Sequence, residues 1–163
     1  EDRQRMGLVN EFKAHENLIF GYHHQEPYSK SSILQEKEIM SFSKKVMEEY
    51  DVRPRSPNLM TSNFSGGNQQ KIILSRELNE NPKVLLIGQP TRGVDIGAIE
   101  FIHQRLIDMR DKGAAILLVS VELEEVLSLS DRIVVMFDGN IVGEKINKDV
   151  TDRDLGLLMA GVA

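Results

Sequence analysis

The sequence has no cysteine and no tryptophan. The missing thiols exclude disulfides, Cys-ligated zinc, iron–sulfur clusters and thiol catalysis, and they suit a reducing compartment. No apolar run approaches the ~20 residues needed to span a bilayer. Basic residues are outnumbered, 20 against 25 acidic, for a formal net charge of −5. That balance argues against a general polyanion-binding domain and leaves room only for a local basic patch. Hydrophobic residues nonetheless make up 40% of the 163, enough to build a core. The chain opens on Glu1-Asp2-Arg3-Gln4-Arg5 without an initiator methionine, and the expectation is a piece of a longer protein.

Three stretches differ in pattern. Residues 1–30 carry short apolar pieces between polar and breaker residues and read as connections around a short helix near Glu16. Residues 31–80 read as helical. Ser31 or Ser32 is placed to cap a first helix, with Ile33, Ile39, Met40, Val46 and Met47 at helical spacing up to Tyr50. Pro54 and Pro57 break the chain, and a second helix is expected just after Ser65. Residues 81–163 alternate. Val84–Ile87 and Ala115–Val119 read as buried strands, 96–112 and 122–129 as helices. Asp138-Gly139 marks a hairpin, and Thr151 with Asp154 caps a closing helix. Strands alternating with helices imply an α/β fold with parallel strands and an added C-terminal hairpin.

The chemistry starts at Asn63-Phe64-Ser65-Gly66-Gly67-Asn68-Gln69-Gln70-Lys71. A serine N-cap followed by glycines lets another molecule approach free helix N–H groups at the positive end of a dipole, an arrangement suited to phosphate. Taken alone, Ser-Gly-Gly describes a capped helix more often than a ligand site. The order of motifs adds information. After this helix come Asn81-Pro82-Lys83, the strand at Val84, and then Gln89-Pro90-Thr91-Arg92-Gly93-Val94-Asp95.

That order resembles the second half of an ABC-type ATPase. Ser65-Gly66-Gly67-Asn68 looks like the family's signature motif, usually Leu-Ser-Gly-Gly-Gln, and Thr91–Asp95 looks like the stretch ending in the D-loop. Glu1-Asp2-Arg3, Gly7-Leu8-Val9 and Gln89–Ala98 further resemble the second ATPase domain of simple-sugar and nucleoside importer subunits, which carry two such domains in one chain. The resemblance places Glu1 near the Q-loop glutamine. It implies a partial P-loop NTPase fold: residues 1–30 as a Q-loop-proximal connection, 31–80 as a helical signature subdomain, and 81–163 as a RecA-like α/β portion with the Walker B strand, D-loop and hairpin.

The departures matter equally. Where the family has Asp-Glu ahead of the Pro-Thr pair, this chain has Gly88 and Gln89; where it has the switch histidine, this chain has Val121. Glycine and valine offer nothing to Mg²⁺ or a γ-phosphate, and glutamine orients water but is no general base. No Gly-x-x-x-x-Gly-Lys-Ser/Thr loop occurs in the sequence. The resemblance therefore implies no catalytic residue in this half-site and no metal bound to the fragment, with ATP and Mg²⁺ used by the intact protein. Ser65, Gly66, Gly67 and Asn68 would complete the ATP site of a second ATPase domain, in the same or another chain, with Asp95 at that interface. The fragment alone is not expected to hydrolyse ATP or hold it tightly.

The implied partners are that second domain, membrane-spanning permease subunits and, indirectly, a substrate-binding protein. Nucleic acid is not among them. The implied place is the cytoplasmic face of the membrane. Self-association of the fragment through exposed strand edges is a further expectation. A non-transport ABC-type ATPase of repair or translation, and a non-hydrolysing regulatory or dimerising module, are the competing classes. Elsewhere, His15, His23, His24 and His103 make no metal pattern and read as solvated loop histidines. Glu122, Glu124 and Glu125 read as helix N-terminal charge. Arg3, Arg5, Arg53 and Arg55 are candidates for phosphate or a membrane subunit, and Met40, Met47 and Met60 for packing.

Overall fold

The computed structural model describes residues 3–148 and 150–162, with side chains from residue 5 onward. Two compact units divide the chain. The first comprises Glu1–Leu85 and Pro90–Ala115, the second Leu86–Gln89 and Ile116–Ala163.

The first unit is built mainly of helices: α1 (Arg3–Met6), α2 (Ala14–Leu18), α3 (Glu36–Glu49), α4 (Gly66–Asn79) and α5 (Ile96–Asp111). α2 packs on α3 and α4, and α4 packs on α5. The apolar positions that repeat at helical spacing are the ones that meet. Ala14, Leu18, Val46, Met47, Ile72, Leu78, Ile102 and Leu106 are all buried, and Val52 joins them from the connection after α3. α5 stops where Gly113 takes a φ of 94°, which favours glycine.

Two expectations fail in this unit, the lesser being that Met60, read as a packing residue, is exposed. Ser31 and Ser32 do not cap a helix. Both sit at positive φ, 49° and 63°, and form the turn between β1 (Ser29–Lys30) and β2 (Ile33–Leu34), paired antiparallel with Ser29 opposite Leu34. A two-residue turn with φ > 0 at both central positions matches the twist of a hairpin. The helix therefore starts later, at Glu36, and Ile33 lies exposed on the hairpin rather than in the core.

A buried hub joins the N-terminal connection to the approach to α4. Asn17 is fully buried. Its Nδ2 donates to Val9 O at 2.9 Å and Thr61 Oγ1 at 2.8 Å, and its Oδ1 accepts from Val9 N at 2.9 Å. Thr61 opens a 3-10 turn over Thr61–Asn63, and its carbonyl accepts from Gln69 Nε2 at 3.1 Å. The residues just before Ser65 are thus held from both sides.

The strands β3 (Val84–Gly88) and β4 (Ala115–Val119) pair, but they are not the buried strands expected: Leu85 is buried, whereas Val84, Leu86, Leu117 and Val119 are exposed. Ala115 N donates to Lys83 O within the first unit, and Gln89 N donates to Val119 O within the second. Both partners advance together, so the strands run parallel.

The second unit continues with α6 (Leu123–Leu129), β5 (Arg132–Phe137), β6 (Asn140–Ile146) and α7 (Asp152–Met159). β5 and β6 form the expected hairpin, closing with Phe137 opposite Asn140 around Asp138 and Gly139, which have φ of 47° and 74°. Ile133, Val135 and Leu155 are its buried centre, flanked by Leu123, Val126 and Leu158. Thr151 caps α7 as the sequence predicts. Asp154 N donates to Thr151 Oγ1 at 3.3 Å, and Thr151 N donates to Asp154 Oδ2 at 3.0 Å. No helix among the described residues is long and apolar enough to cross a membrane.

Candidate functional site

Ser65 stands where the sequence places it, as the N-cap of α4. Its backbone is extended (φ −62°, ψ 158°), so the chain turns into the helix with its first N–H groups facing outward. Phe64 is buried immediately before it, and Ser65 itself is exposed. The Ser65 hydroxyl accepts from Asn68 Nδ2 at 2.9 Å and, at the longer distance of 3.5 Å, from Asn68 N. Asn68 Oδ1 accepts from Arg53 N at 2.7 Å. The helix N-terminus, the cap and the segment after α3 therefore form one hydrogen-bonded group.

Gly67 is buried against the start of α5. A Cβ there would lie 3.1 Å from Asp95 Oδ2 and 3.2 Å from Ala98 Cβ. Asp95 is itself an N-cap, its Oδ1 accepting from Ala98 N at 2.9 Å. The structure thus brings signature-like Gly67 and D-loop-like Asp95 together in one chain, with the N-termini of α4 and α5 abutting.

A second contact between these helices runs through cations on rings. Lys71 Nζ donates to Asp51 O at 3.0 Å and lies 4.8 Å from the Phe101 ring centroid. The Arg105 guanidinium lies 4.6 Å from the Tyr50 ring and 5.1 Å from that of Phe101, and it donates to Glu49 O at 2.6 Å. Burial raises the Tyr50 pKa. Arg53 and Arg55, read from sequence as candidates for phosphate or a membrane subunit, are engaged locally. Arg53 Nε pairs with Asp51 at 2.8 Å, and Arg55 with Glu48 at 3.2 Å. The hydrogen bond from Arg53 holds the Asp51 carboxyl below its ordinary pKa.

In the second unit, Gly88 ends β3 and Gln89 follows with a φ of 51°, its N–H bound to Val119 O. A Cβ on Gly88 would meet nothing within 4 Å, so space does not forbid a carboxylate there. Val121 is exposed, and the preceding Ser120 uses its hydroxyl to accept from Glu122 N at 3.0 Å. Positions 88, 89 and 121 therefore present no carboxylate and no imidazole. The Q-loop position, Glu1, lies outside the described residues.

Two histidines need correction, and the first, His103, lies half-buried in α5 and not in a loop. His15 is no loop residue. It lies in α2, half-buried, with Nδ1 2.9 Å from Pro57 O. Among the described residues no group of three or more His, Cys, Asp or Glu could hold a metal ion. Sequence reasoning missed Asn17 and the backbone of Arg53. A lone asparagine between Ala14 and Leu18 was the available signal for the first; nothing local announces the second.

No protein-family model matches the chain. Curated relatives do. The chain is 45% identical over 161 residues to a guanosine import ATP-binding protein of Bacillus subtilis, and 47% identical over 161 residues to a nucleoside import ATP-binding protein of Lactococcus lactis. It is 35% identical over 161 residues to a ribose import ATP-binding protein of Streptococcus agalactiae. Each match covers 99% of this chain and 32% of the relative, so the chain spans about a third of their length. Among solved structures, a dimeric ATP-binding cassette in a post-hydrolysis state with ADP and Pi matches with a TM-score of 0.70 at 24% identity, covering 90% of this chain and 62% of that one. A nucleotide-free cassette from an ABC transporter matches at 0.69 with 24% identity, covering 93% and 60%. At these identities the likeness establishes the fold, a partial ATP-binding-cassette fold.

Proposed function

The chain is homologous over nearly its whole length to one part of the ATP-binding proteins of nucleoside and sugar importers, and from that premise we propose that it serves an ABC importer by giving its signature motif to the ATP site of a partner ATPase domain. The observation that carries the reading is the exposed N-terminus of α4, capped by Ser65 and seated on Asp95 through Gly67. In it, a negatively charged γ-phosphate held by the partner domain would meet the Ser65 hydroxyl and the Gly66 and Gly67 N–H groups. Asn68 stands beside them, and Asp95 lies at the same edge. The 14 residues of α4 give these groups an aligned dipole whose positive end faces that anion.

The chain's own half-site would remain silent. ATP and Mg²⁺ belong to the intact protein, where Mg²⁺ neutralises phosphate charge. Gly88 supplies no ligand for it, Gln89 no base and Val121 no hydrogen bond to phosphate. Hydrolysis in such an assembly falls to the site that Ser65 completes.

The helical part over 31–80 is the surface proposed to meet the permease subunits, at the cytoplasmic face of the membrane, with the substrate-binding protein engaged only through the permease. The higher identity to the guanosine and nucleoside importers than to the ribose importer supports a nucleoside as cargo. In the intact transporter, Ser65→Arg should abolish ATP-driven uptake, because a long side chain would fill the space that the γ-phosphate needs. Unchanged uptake would sink the proposal.

A further inference from the structure

We infer that Asn68 acts as a positioning residue: it aims the Ser65 hydroxyl proton at the anion instead of touching the nucleotide itself. The inference rests on the signature role proposed for Ser65. Its first step is the amide's orientation. Arg53 N–H can only donate, and it lies 2.7 Å from Asn68 Oδ1. That bond fixes which end of the amide faces the segment after α3, so Nδ2 must face Ser65 Oγ, 2.9 Å away. The second step is proton counting. A serine hydroxyl has one O–H donor and two lone pairs. Asn68 Nδ2 and, at longer range, Asn68 N occupy the acceptor side. The O–H is left to point away from both, outward from the cap, where it donates to an arriving anion.

The anchoring segment is itself held. Lys71, three residues after Asn68 and on the same side of α4, bonds Asp51 O at 3.0 Å while its ammonium rests on the Phe101 ring. α4 thus grips residues 51–53 at two points, and that grip is transmitted through Asn68 to the hydroxyl. Both polar ends of the Asn68 side chain are committed within the chain. One Nδ2 proton and one Oδ1 lone pair are not used by these two bonds.

The test uses the intact subunit assembled with its ATPase and membrane partners. Steady-state ATP turnover and thermal unfolding are measured for Ser65→Ala, Asn68→Ala and the double variant. Each single change is expected to lower kcat by about tenfold to a hundredfold, the range for removing one preorganised donor, while the KM for ATP shifts less than about twofold because the partner holds the nucleotide. The double variant is expected to be no slower than Ser65→Ala alone, since Asn68 works through that hydroxyl. Losses that multiply in the double variant would mean that Asn68 acts independently and would overturn the inference. Asn68→Asp gives a second arm without change of size. It still accepts from Arg53 N–H but turns the Ser65 proton inward, so kcat should fall at least as far as in Asn68→Ala. A rate near wild type there also overturns the inference. Normal turnover in Ser65→Ala is a different outcome: it removes the signature reading itself.

Discussion

Gly67 and Asp95 stand so close that a Cβ on the glycine would lie 3.1 Å from Asp95 Oδ2. The approach of α4 to α5 at their N-termini depends on that missing atom.

Gly67→Ala therefore has a definite cost. The new methyl also meets Ala98 Cβ at 3.2 Å, and neither neighbour is the loose end of a long side chain. Helix propensity would favour alanine by about 1 kcal/mol, but overpacking costs about 1–3 kcal/mol, so the net expectation is a destabilisation of about 1 kcal/mol. Denaturant unfolding of the two proteins measures it. On the proposed importer role, ATP turnover of the intact protein should fall with it, because the Ser65 cap moves when α4 shifts away from α5.

Asp95 offers a way to separate a cap from a charge. Its Oδ1 accepts from Ala98 N at 2.9 Å, and asparagine keeps that bond. Asp95→Asn should leave stability unchanged within about 0.5 kcal/mol, whereas Asp95→Ala should cost about 1 kcal/mol, the usual loss of an N-cap. If turnover falls in both variants alike, the charge of Asp95 matters at the partner interface. If it falls only in Asp95→Ala, the cap suffices.

Much of this arrangement was legible in the sequence, for physical reasons that differ between elements. Ser65 and Thr151 are local signals: each is a capping residue ahead of an apolar-periodic run, and each caps in the structure, whereas the cap at Asp95, read from sequence only as a D-loop acid, appears in the structure alone. Asp138-Gly139 is equally local, because both residues tolerate positive φ. The failure at Ser31 and Ser32 has the same origin. Serine serves caps and turns alike, and only the pairing of Ser29 with Leu34 decides between them. The Asn68–Arg53 bond joins residues fifteen positions apart, and Asn17 reaches Thr61 across forty-four. No periodicity encodes such contacts. The absences at Gly88, Gln89 and Val121 are implied only by the resemblance to the ABC-type ATPases, and no property of these residues by themselves announces them.

Asn17→Leu should be among the most damaging changes outside the site. The side chain is fully buried and makes three hydrogen bonds, to Val9 N, Val9 O and Thr61 Oγ1. Leucine matches its volume roughly but strands the buried Thr61 Oγ1 and takes their partner from the part-buried Val9 N–H and carbonyl. Each buried group left unsatisfied costs about 1–3 kcal/mol, so a loss of about 3 kcal/mol or more is expected. A lowered unfolding midpoint measures it; a midpoint within a degree or so of wild type would contradict the hub.

Stability should also respond to acid. Side-chain and backbone hydrogen bonds from Thr151 hold the Asp154 carboxyl below its ordinary pKa, and the Arg53 hydrogen bond does the same for Asp51. A carboxyl depressed on folding stabilises the fold above its unfolded pKa of about 3.9 and loses that contribution as pH falls through the lower folded value. Stability is therefore expected to be flat near neutrality and to decline in that acidic window. Thr151→Val removes the hydroxyl donor, so the Asp154 pKa should move up toward the ordinary range in a side-chain NMR titration. An unmoved pKa would show that the capping hydroxyl is not its cause.

The half-site proposed around Gly88, Gln89 and Val121 gives the sharpest functional contrast with Ser65. If hydrolysis belongs to the partner's site, Gln89 is dispensable for chemistry. Its backbone, at φ 51°, even favours replacement by glycine. Left-handed backbone costs a residue with a Cβ about 1–2 kcal/mol, while glycine adds about 0.5–1 kcal/mol of unfolded-state entropy, so the two nearly cancel. Gln89→Gly should hold both stability and ATP turnover of the intact transporter within about twofold, on the scale where tenfold is 1.4 kcal/mol. The N–H to Val119 O, which the backbone supplies, survives the change. Restoring one carboxylate by Gln89→Glu should not raise turnover either, because Gly88 still offers no metal ligand and Val121 no imidazole. A tenfold fall in Gln89→Gly, or a gain in Gln89→Glu, would place active chemistry in the half-site that the sequence reads as silent.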